Sequence, residues 1–322
     1  MKTFTNANPK SVSEAVKLLA KGNATVAGGG SDLLGMVKDH LVTPDVLVHL
    51  RAIPGLDQVK DQRNEVVIGG LVTLSELAEN SLIRTRYAVL AEAAGVVGTP
   101  QIRNAGTLAG NICQRPWCWY FRNGFPCYKN GGKTCFSVTG ENEFHAIFGG
   151  GPSYIVHPSD TAPALVALDA KFKIAGPSGE RMIDAADFFA PPSKDPAREN
   201  VLAHDEVLTE VHIGPHANLR STYHKELDRE SWTHAVASVA VALEMDGNTC
   251  KRARVVLGGV APIPWRVPKV EAMLEGKRIT PELAAQAGEA AVEGAKPLAK
   301  NGYKVKLTAA IVKRTLTNLG TA

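Results

Sequence analysis

The sequence has few of the features that mark membrane-bound or nucleic-acid-binding proteins. Its apolar runs stay well short of the roughly 20 residues that a bilayer span requires. Its net charge is only +4, and the basic residues form neither a long run nor a stripe interleaved with aromatic residues. We therefore expect no membrane span and no nucleic-acid partner.

Signatures of secretion and of hydrolytic chemistry are also missing. The first residues lack an apolar core followed by a small-residue cleavage site, so we expect no secretory signal. The missing signal predicts a cytoplasmic protein, or a periplasmic one if a signal-bearing partner is exported with it. In the cytoplasm, cysteines are expected to be reduced thiols and not disulfides. None of the nine histidines lies in an HExxH motif, and no serine lies in GxSxG. We assign no catalytic residue.

Two glycine-rich loops, about eighty residues apart, are the first positive signal. Consecutive glycines let main-chain N–H groups approach a pyrophosphate, and hydroxyl and amide side chains can hydrogen-bond to it. Neither loop is a spaced GxGxxG or a P-loop, and each alone could be a tight turn. Together they favour one extended dinucleotide such as FAD, held between two subdomains. The residues predicted to contact it are Ala27, Gly28, Gly29, Gly30, Ser31, Asp32, Thr107, Gly110 and Asn111.

Four of the five cysteines lie within one 23-residue stretch, at Cys113, Cys118, Cys127 and Cys135. Four thiolates suit an iron–sulfur cluster or a structural zinc ion. The intervening lengths are four, eight and seven residues, which favours [4Fe–4S] over the closely paired cysteines of most zinc sites but leaves zinc open. Neighbouring aromatic residues, Trp117 and Trp119 to Phe121, are expected to shield such a cluster from water.

Two further polar positions could contact a cofactor. Asp160, in His157-Pro158-Ser159-Asp160, could accept hydrogen bonds from cofactor hydroxyl groups, although Ser159 or Asp160 could equally cap a helix. Lys225 could place a cation near a phosphate, but most lysines in such a context are merely exposed. The residues alone leave both roles open.

The order of patterns along the chain predicts an α+β protein. An alternating α/β unit of residues 1–58 precedes a second unit of residues 59–215, into which residues of about 113–153 are inserted. Antiparallel strand patterns and alanine-rich helices then fill a C-terminal domain of residues 216–322.

These motifs together resemble the FAD-binding (medium) subunits of the molybdenum hydroxylases, the xanthine dehydrogenase and carbon monoxide dehydrogenase family. The resemblance covers essentially the full chain and rests on the order and spacing of AGGGS at 27–31, IRNAGTLAGN at 102–111, Pro158-Ser159-Asp160 and LGGVAPIPWR at 257–266. The cysteine segment is similar to that of a [4Fe–4S]-containing branch, as in periplasmic aldehyde oxidoreductase and 4-hydroxybenzoyl-CoA reductase FAD subunits.

The resemblance implies a two-lobed FAD-binding domain of the vanillyl-alcohol oxidase type, with Asp160 and Lys225 contacting the flavin or its tail. It also implies a complex, a heterotrimer or a dimer of heterotrimers, with a large molybdenum-cofactor subunit and a small [2Fe–2S] subunit. Electrons from an aldehyde or an aromatic or heterocyclic substrate would pass through FAD to an external acceptor. The alternatives are a free-standing FAD oxidoreductase and a zinc-stabilised nucleotide-binding module.

Overall fold

A computed structural model describes residues 1–230 and 233–321. The N-terminal unit is a three-stranded parallel sheet in the order β1-β3-β2. Its first helix begins because the Ser11 hydroxyl accepts a hydrogen bond from the Glu14 N–H, and it buries Ala15, Val16 and Leu19 against the sheet. The elements of this unit are β1 (Thr5–Ala7), α1 (Val12–Leu19), β2 (Ala24–Ala27), α2 (Leu33–Lys38) and β3 (Val46–His49).

The second unit is a five-stranded antiparallel sheet in the order β4-β5-β8-β6-β7, covered by short helices. Strand β8 pairs with β5 and β6, so chain segments on both sides of the cysteine stretch build one sheet. In chain order the elements are β4 (Val59–Gln62), β5 (Glu65–Gly69), α3 (Leu74–Glu79), α4 (Ser81–Arg86), α5 (Ala88–Gly95), α6 (Pro100–Ala105), α7 (Leu108–Ile112), α8 (Trp119–Arg122), α9 (Thr161–Ala167), β6 (Lys171–Gly176), β7 (Gly179–Asp184), α10 (Ala185–Phe188) and β8 (Val207–Ile213).

The C-terminal unit is a four-stranded antiparallel sheet, ordered β12-β11-β10-β9, packed against helices. Alternate residues of the long central strands β10 and β11 face two cores, because this sheet is covered on both faces. Those in the C-terminal core include Val239, Val241, Leu243, Ala253, Val255 and Leu257, whereas Ala240, Ala242 and Val256 belong to the core of the second unit. Its elements are β9 (Leu219–Glu226), β10 (Ala237–Asp246), β11 (Thr249–Gly258), β12 (Trp265–Arg266), α11 (Pro268–Leu274), α12 (Pro281–Ala290) and α13 (Tyr303–Thr321).

The cysteine stretch contains little regular structure besides α8 and two 3₁₀ turns, Tyr128–Asn130 and Phe136–Val138. It packs against α2 of the first unit through a small apolar cluster of Met36, Phe121 and Cys127. It therefore lies beside the loop that follows β2, which positions it next to the first glycine-rich segment. Among the helices described, none is both long and apolar enough to cross a membrane.

Candidate functional site

The two glycine-rich loops lie against each other, backbone to backbone. A Cβ added at Gly29 would be 1.7 Å from the carbonyl oxygen of Ala105, and one added at Gly28 would be 2.8 Å from the Thr107 hydroxyl. Gly30 has a φ of +75°, in the left-handed region that favours glycine. The glycines are thus required for the close approach of the two loops, and they leave the main chain of the first loop uncovered.

A cavity of about 400 Å³ opens along this contact, within the usual size range of ligand pockets. All nine loop residues predicted to contact a dinucleotide line it, from Ala27 to Asp32 and at Thr107, Gly110 and Asn111. Its remaining walls are largely apolar, with Leu50, Leu71 and Val97 among them. The sequence patterns did not identify these apolar walls, because in sequence they are indistinguishable from ordinary core positions.

Hydrogen bonds fix the second loop from both ends. The Thr107 hydroxyl accepts from the Gly110 N–H at 3.2 Å and caps α7. The buried Asn111 amide oxygen accepts from the hydroxyls of Ser159 at 2.6 Å and Thr161 at 2.7 Å. The Ser159 hydroxyl also accepts from a main-chain N–H in the first turn of α9 at 3.0 Å. Asn111 therefore ties the 107–111 loop to the Pro158–Asp160 motif.

Asp160 and Lys225 meet each other away from this cavity. Their side chains form an ion pair at 2.6 Å, and they are only 4% and 2% exposed, respectively. The Tyr223 hydroxyl donates to the other Asp160 oxygen at 2.8 Å, and the Lys225 ammonium also donates to the Val96 carbonyl at 3.1 Å. Burial and the neighbouring Asp160 carboxylate raise the pKa of Tyr223 well above its ordinary value. Neither member of the pair is among the residues that line the cavity.

His234 is buried beside the Pro158–Asp160 motif, and its Nδ1 lies 3.3 Å from the Pro158 carbonyl oxygen. Burial lowers the pKa of His234, and the carboxylates of Asp160 and Asp32 oppose that effect. His234 also packs against Trp117, with 5.3 Å between ring centroids. His234 carries no recognisable motif in the sequence, which is why its position was not predicted.

Arg122 fastens the cysteine segment onto the first glycine-rich loop. Its guanidinium forms an ion pair with Asp32 at 2.8 Å, with both side chains nearly buried. The same group donates to the carbonyls of Pro116 at 2.8 Å and Arg115 at 3.0 Å, and it lies 4.3 Å over the Trp117 ring. Asp32, which we predicted to contact the ligand, thus both lines the cavity and forms an ion pair with Arg122.

The four clustered cysteines are not brought to one point. Burial raises the pKa of Cys118 to about 11, with smaller contributions from Cys135 and Cys127, so both of these thiols lie near Cys118. Cys113 instead ends α7, packs against the main core and lines the cavity, and burial raises its pKa to about 12. Within residues 1–230 and 233–321, no group of three or more cysteine, histidine or acidic side chains is arranged to hold a metal ion.

The neighbours of these thiols are also defined. The Cys118 sulfur lies 3.4 Å from His145 Nε2, and the Cys135 sulfur accepts from the Tyr154 N–H at 3.4 Å. Of the aromatic residues expected to shield a cluster, Tyr120 and Phe121 are buried, whereas Trp117 and Trp119 are 49% and 64% exposed.

Comparison with known proteins decides the family. A model of the FAD binding domain in molybdopterin dehydrogenase matches residues 2–216, and a model of the CO dehydrogenase flavoprotein C-terminal domain matches residues 222–319. The chain belongs to the FAD-binding subunits of the molybdopterin dehydrogenases. This FAD subunit is 34% identical to the aldehyde oxidoreductase FAD-binding subunit PaoB of Escherichia coli K12, over 99% of this chain and 98% of the relative.

Other relatives agree. The FAD subunit is 30% identical to the carbon monoxide dehydrogenase medium chain of Hydrogenophaga pseudoflava, over 96% of this chain and 94% of that one. A solved structure of the H. pseudoflava enzyme, lacking the Mo-pyranopterin moiety of its cofactor, superposes with a TM-score of 0.76 at 28% identity, covering 97% and 95% of the two chains. The predicted family, the α+β fold and the role as the FAD subunit of an oxidoreductase are confirmed.

Proposed function

We propose that the cavity between the two glycine-rich loops holds the FAD of this subunit. The observation that carries the proposal is the contact at Gly29, where even a methyl group would collide with the Ala105 carbonyl. In the first loop, Gly28 to Ser31 would offer main-chain N–H groups to the pyrophosphate. Asp160 and Lys225 remain proposed contacts of the flavin or its tail on the order of the motifs alone, because their buried ion pair lies outside the residues that line the cavity.

The cavity residues fit such a ligand chemically. Polar groups concentrate on the two loops, whereas the opposite walls are apolar, as expected for a cofactor with a charged centre and flat aromatic ends. When bound, FAD supplies the redox chemistry, accepting electrons singly or in pairs. The chain's own residues bind and orient it and exclude water from it. No side chain of this subunit is assigned a catalytic role.

We further propose that this subunit works in a complex with a large molybdenum-cofactor subunit and a small [2Fe–2S] subunit. Substrate would be oxidised in the large subunit, and electrons would reach FAD from the small subunit and leave to an external acceptor. The names of the relatives, an FAD-binding subunit and two medium chains, support a multisubunit enzyme. Among substrates we favour an aldehyde, since the 34% identical relative is an aldehyde oxidoreductase subunit. For its location we retain the cytoplasm, or the periplasm after export with a signal-bearing partner.

The test compares the complex with the isolated chain. The co-purified complex should show substrate-dependent bleaching of its flavin absorption under anaerobic conditions. The chain alone should bind FAD yet show no bleaching with the same aldehydes. Bleaching by the isolated chain would replace this proposal with a free-standing FAD oxidoreductase.

A [4Fe–4S] cluster on Cys113, Cys118, Cys127 and Cys135 is proposed as a second redox centre. Its support is the density of thiols and the proximity of three of them. The thiols as arranged here do not fit the cluster, because no three of the described cysteine, histidine and acidic side chains are grouped to hold a metal ion. Cys113 packs against the main core, whereas Cys118 and Cys127 pack in another apolar cluster. We therefore assign no electron-transfer step to the [4Fe–4S] cluster.

Iron and acid-labile sulfide per chain test this assignment. Each of the four Cys→Ser variants should lose most of both, whereas Cys250→Ser should retain them, because Cys250 is fully buried in the C-terminal core. Zinc without iron in the wild-type protein would support the zinc-stabilised module instead. Unchanged iron in Cys113→Ser would show that this residue is not a ligand.

A further inference from the structure

One cationic side chain belongs to the wall of the cavity between the glycine-rich loops. Among the described residues that line this cavity, Arg115 is the only lysine, arginine or histidine, and its side chain is 30% exposed. The two glycine-rich loops themselves supply no cation to the lining. The pyrophosphate of a dinucleotide is an anion, so a cation in this wall has a charged group of the ligand to act on.

The two carboxylates in the same lining are matched by arginines that are not part of it. Asp32 accepts a hydrogen bond from Arg122 at 2.8 Å. Glu206 accepts two hydrogen bonds from Arg181, at 3.0 and 2.9 Å. Neither arginine is among the described residues that line the cavity. Each carboxylate therefore has its own cation, and neither of them needs the charge of Arg115.

Arg115 belongs to a cluster in which two cations share one buried carboxylate. Its Nε lies 2.8 Å from one oxygen of Glu199, and the ammonium of Lys129 lies 2.8 Å from the other. The side chains of Glu199 and Lys129 are only 5% and 1% exposed. At longer range, Asp195 and Arg198 add one charge of each sign. One positive charge beside the cavity is thus left without a matching carboxylate.

Glu199 does not engage the guanidinium of Arg115 by a hydrogen bond. The Nε of Arg115 is buried and has no hydrogen-bond partner in the described residues, although it lies at ion-pair distance from Glu199. Its Nη2 makes only long contacts, of 3.4 Å to the Lys129 carbonyl and 3.5 Å to the Ala197 carbonyl. A guanidinium binds an oxyanion best through parallel N–H···O bonds. The donors of Arg115 are therefore still available to such a group.

Short contacts hold the main chain of Arg115 beside both glycine-rich loops. The Nη2 of Arg122 donates to Asp32, at the end of the first loop, and to the Arg115 carbonyl at 3.0 Å. The preceding residue, Gln114, also lines the cavity, and its side-chain oxygen accepts from the amide of Asn111, at the end of the second loop, at 3.1 Å. Arg115 thus lies close to the segments that would bind the pyrophosphate.

We infer that the Arg115 guanidinium binds a phosphate group of the cofactor and makes the cavity select flavins that carry phosphate. A phosphate presents several charged oxygens, and arginine donates to such groups in strong charge-assisted pairs. The glycine-rich loops accommodate the main part of the ligand, whereas Arg115 distinguishes FAD from an uncharged flavin such as riboflavin. This inference rests on the proposed function, which places FAD in the cavity.

The test compares two flavins on the flavin-free full chain by fluorescence titration. FAD and riboflavin share the isoalloxazine ring, but riboflavin carries no phosphate. Arg115→Gln should weaken FAD binding about tenfold or more, as expected for the loss of hydrogen bonds to a charged group, and change riboflavin binding by less than about twofold. Arg115→Lys should lose less FAD affinity, because it keeps the charge but not the planar fork. Salt should weaken FAD binding more steeply in the wild type than in Arg115→Gln.

Arg266 provides a matched control. It pairs with Glu271 at 2.6 Å, and the two side chains are 38% and 4% exposed, close to the 30% and 5% of Arg115 and Glu199. A second cation, Arg254, lies 3.8 Å from the same Glu271 carboxylate. Arg266 is not part of the described cavity lining. Arg266→Gln should therefore leave the ratio of FAD to riboflavin affinity at its wild-type value.

The riboflavin measurement separates a lost phosphate contact from a damaged cavity. A selective loss of FAD affinity in Arg115→Gln supports the inference, and a ratio equal to that of Arg266→Gln overturns it. If Arg115→Gln loses both flavins, Arg115→Lys decides by the same ratio. A wild-type chain that binds FAD no better than riboflavin overturns the inference alone, whereas one that binds neither flavin overturns the proposed function with it.

Discussion

Replacing Lys225 with methionine should destabilise the FAD subunit strongly, even without cofactor. The Lys225 side chain is 2% exposed, and its ammonium lies 2.6 Å from the carboxylate of Asp160, whose side chain is 4% exposed. Without Lys225, Asp160 would keep only the Tyr223 hydroxyl at 2.8 Å as its described side-chain partner. A buried charge that loses its counterion typically costs about 3–5 kcal/mol.

The chain contains a matched control for this variant. Lys2 and Asp45 lie 2.5 Å apart, but their side chains are 51% and 58% exposed. Exposed pairs of this kind are worth about 0–1 kcal/mol, because water screens both charges. Lys2→Met and Lys225→Met therefore remove the same type of contact at nearly the same distance, and they differ mainly in burial.

Urea unfolding of the flavin-free chain, followed by circular dichroism, measures the difference. We expect Lys225→Met to lower the free energy of unfolding by about 3 kcal/mol or more, and Lys2→Met to lower it by less than about 1 kcal/mol. The double variant Asp160→Asn/Lys225→Met should recover part of the loss, since it leaves no unpaired charge. A Lys225→Met protein within about 1 kcal/mol of the Lys2→Met control would refute the reasoning.

Three further predictions concern other parts of the site. Gly29→Ala should reduce the affinity for FAD more than tenfold, which corresponds to a loss of at least about 1.4 kcal/mol of binding free energy. The reason is that its Cβ would collide with the Ala105 carbonyl. Fluorescence titration measures the affinity, and an unchanged value would contradict the prediction. Arg122→Gln should weaken FAD binding in the same assay through release of Asp32, whereas Arg122→Lys should retain part of it; equal effects of the two variants would argue against the ion pair. Burial lowers the pKa of His157 from 6.5 to about 3, so the unfolded state takes up the proton at a higher pH than the folded state. Stability should therefore fall as the pH drops from about 6.5 towards 3, by up to about 5 kcal/mol; a His157→Gln variant with the same pH dependence as the wild type would rule this out.

The glycine-rich loops could be predicted from sequence because their chemistry is local. A run of glycines after a strand allows a close main-chain approach wherever it occurs, and the contact of Gly29 with Ala105 is of that kind. The strands of the antiparallel C-terminal sheet could also be predicted from the sequence, since the residue types of β10 and β11 are typical of buried strands. The domain boundaries at residues 58 and 215 remain predictions.

The rest of the site depends on long-range contacts that no local pattern encodes. Arg122 reaches Asp32 across ninety positions, and Asp160 meets Lys225 across sixty-five. The density of cysteines predicted a common metal site, which remains a prediction, and the structure packs Cys113 against the main core but Cys118 and Cys127 in a separate apolar cluster. The sequence pattern identified Asp32, Asp160, Lys225 and the cysteines as candidates, whereas only the tertiary structure shows which of these side chains contact one another.

The most direct test of the central claim is the identity and amount of flavin released from the purified protein. Acid release followed by mass spectrometry should give FAD, close to one per chain in the wild type, and little or none in Gly29→Ala under identical preparation. Recovery of no flavin from a folded, fully assembled complex would contradict the account.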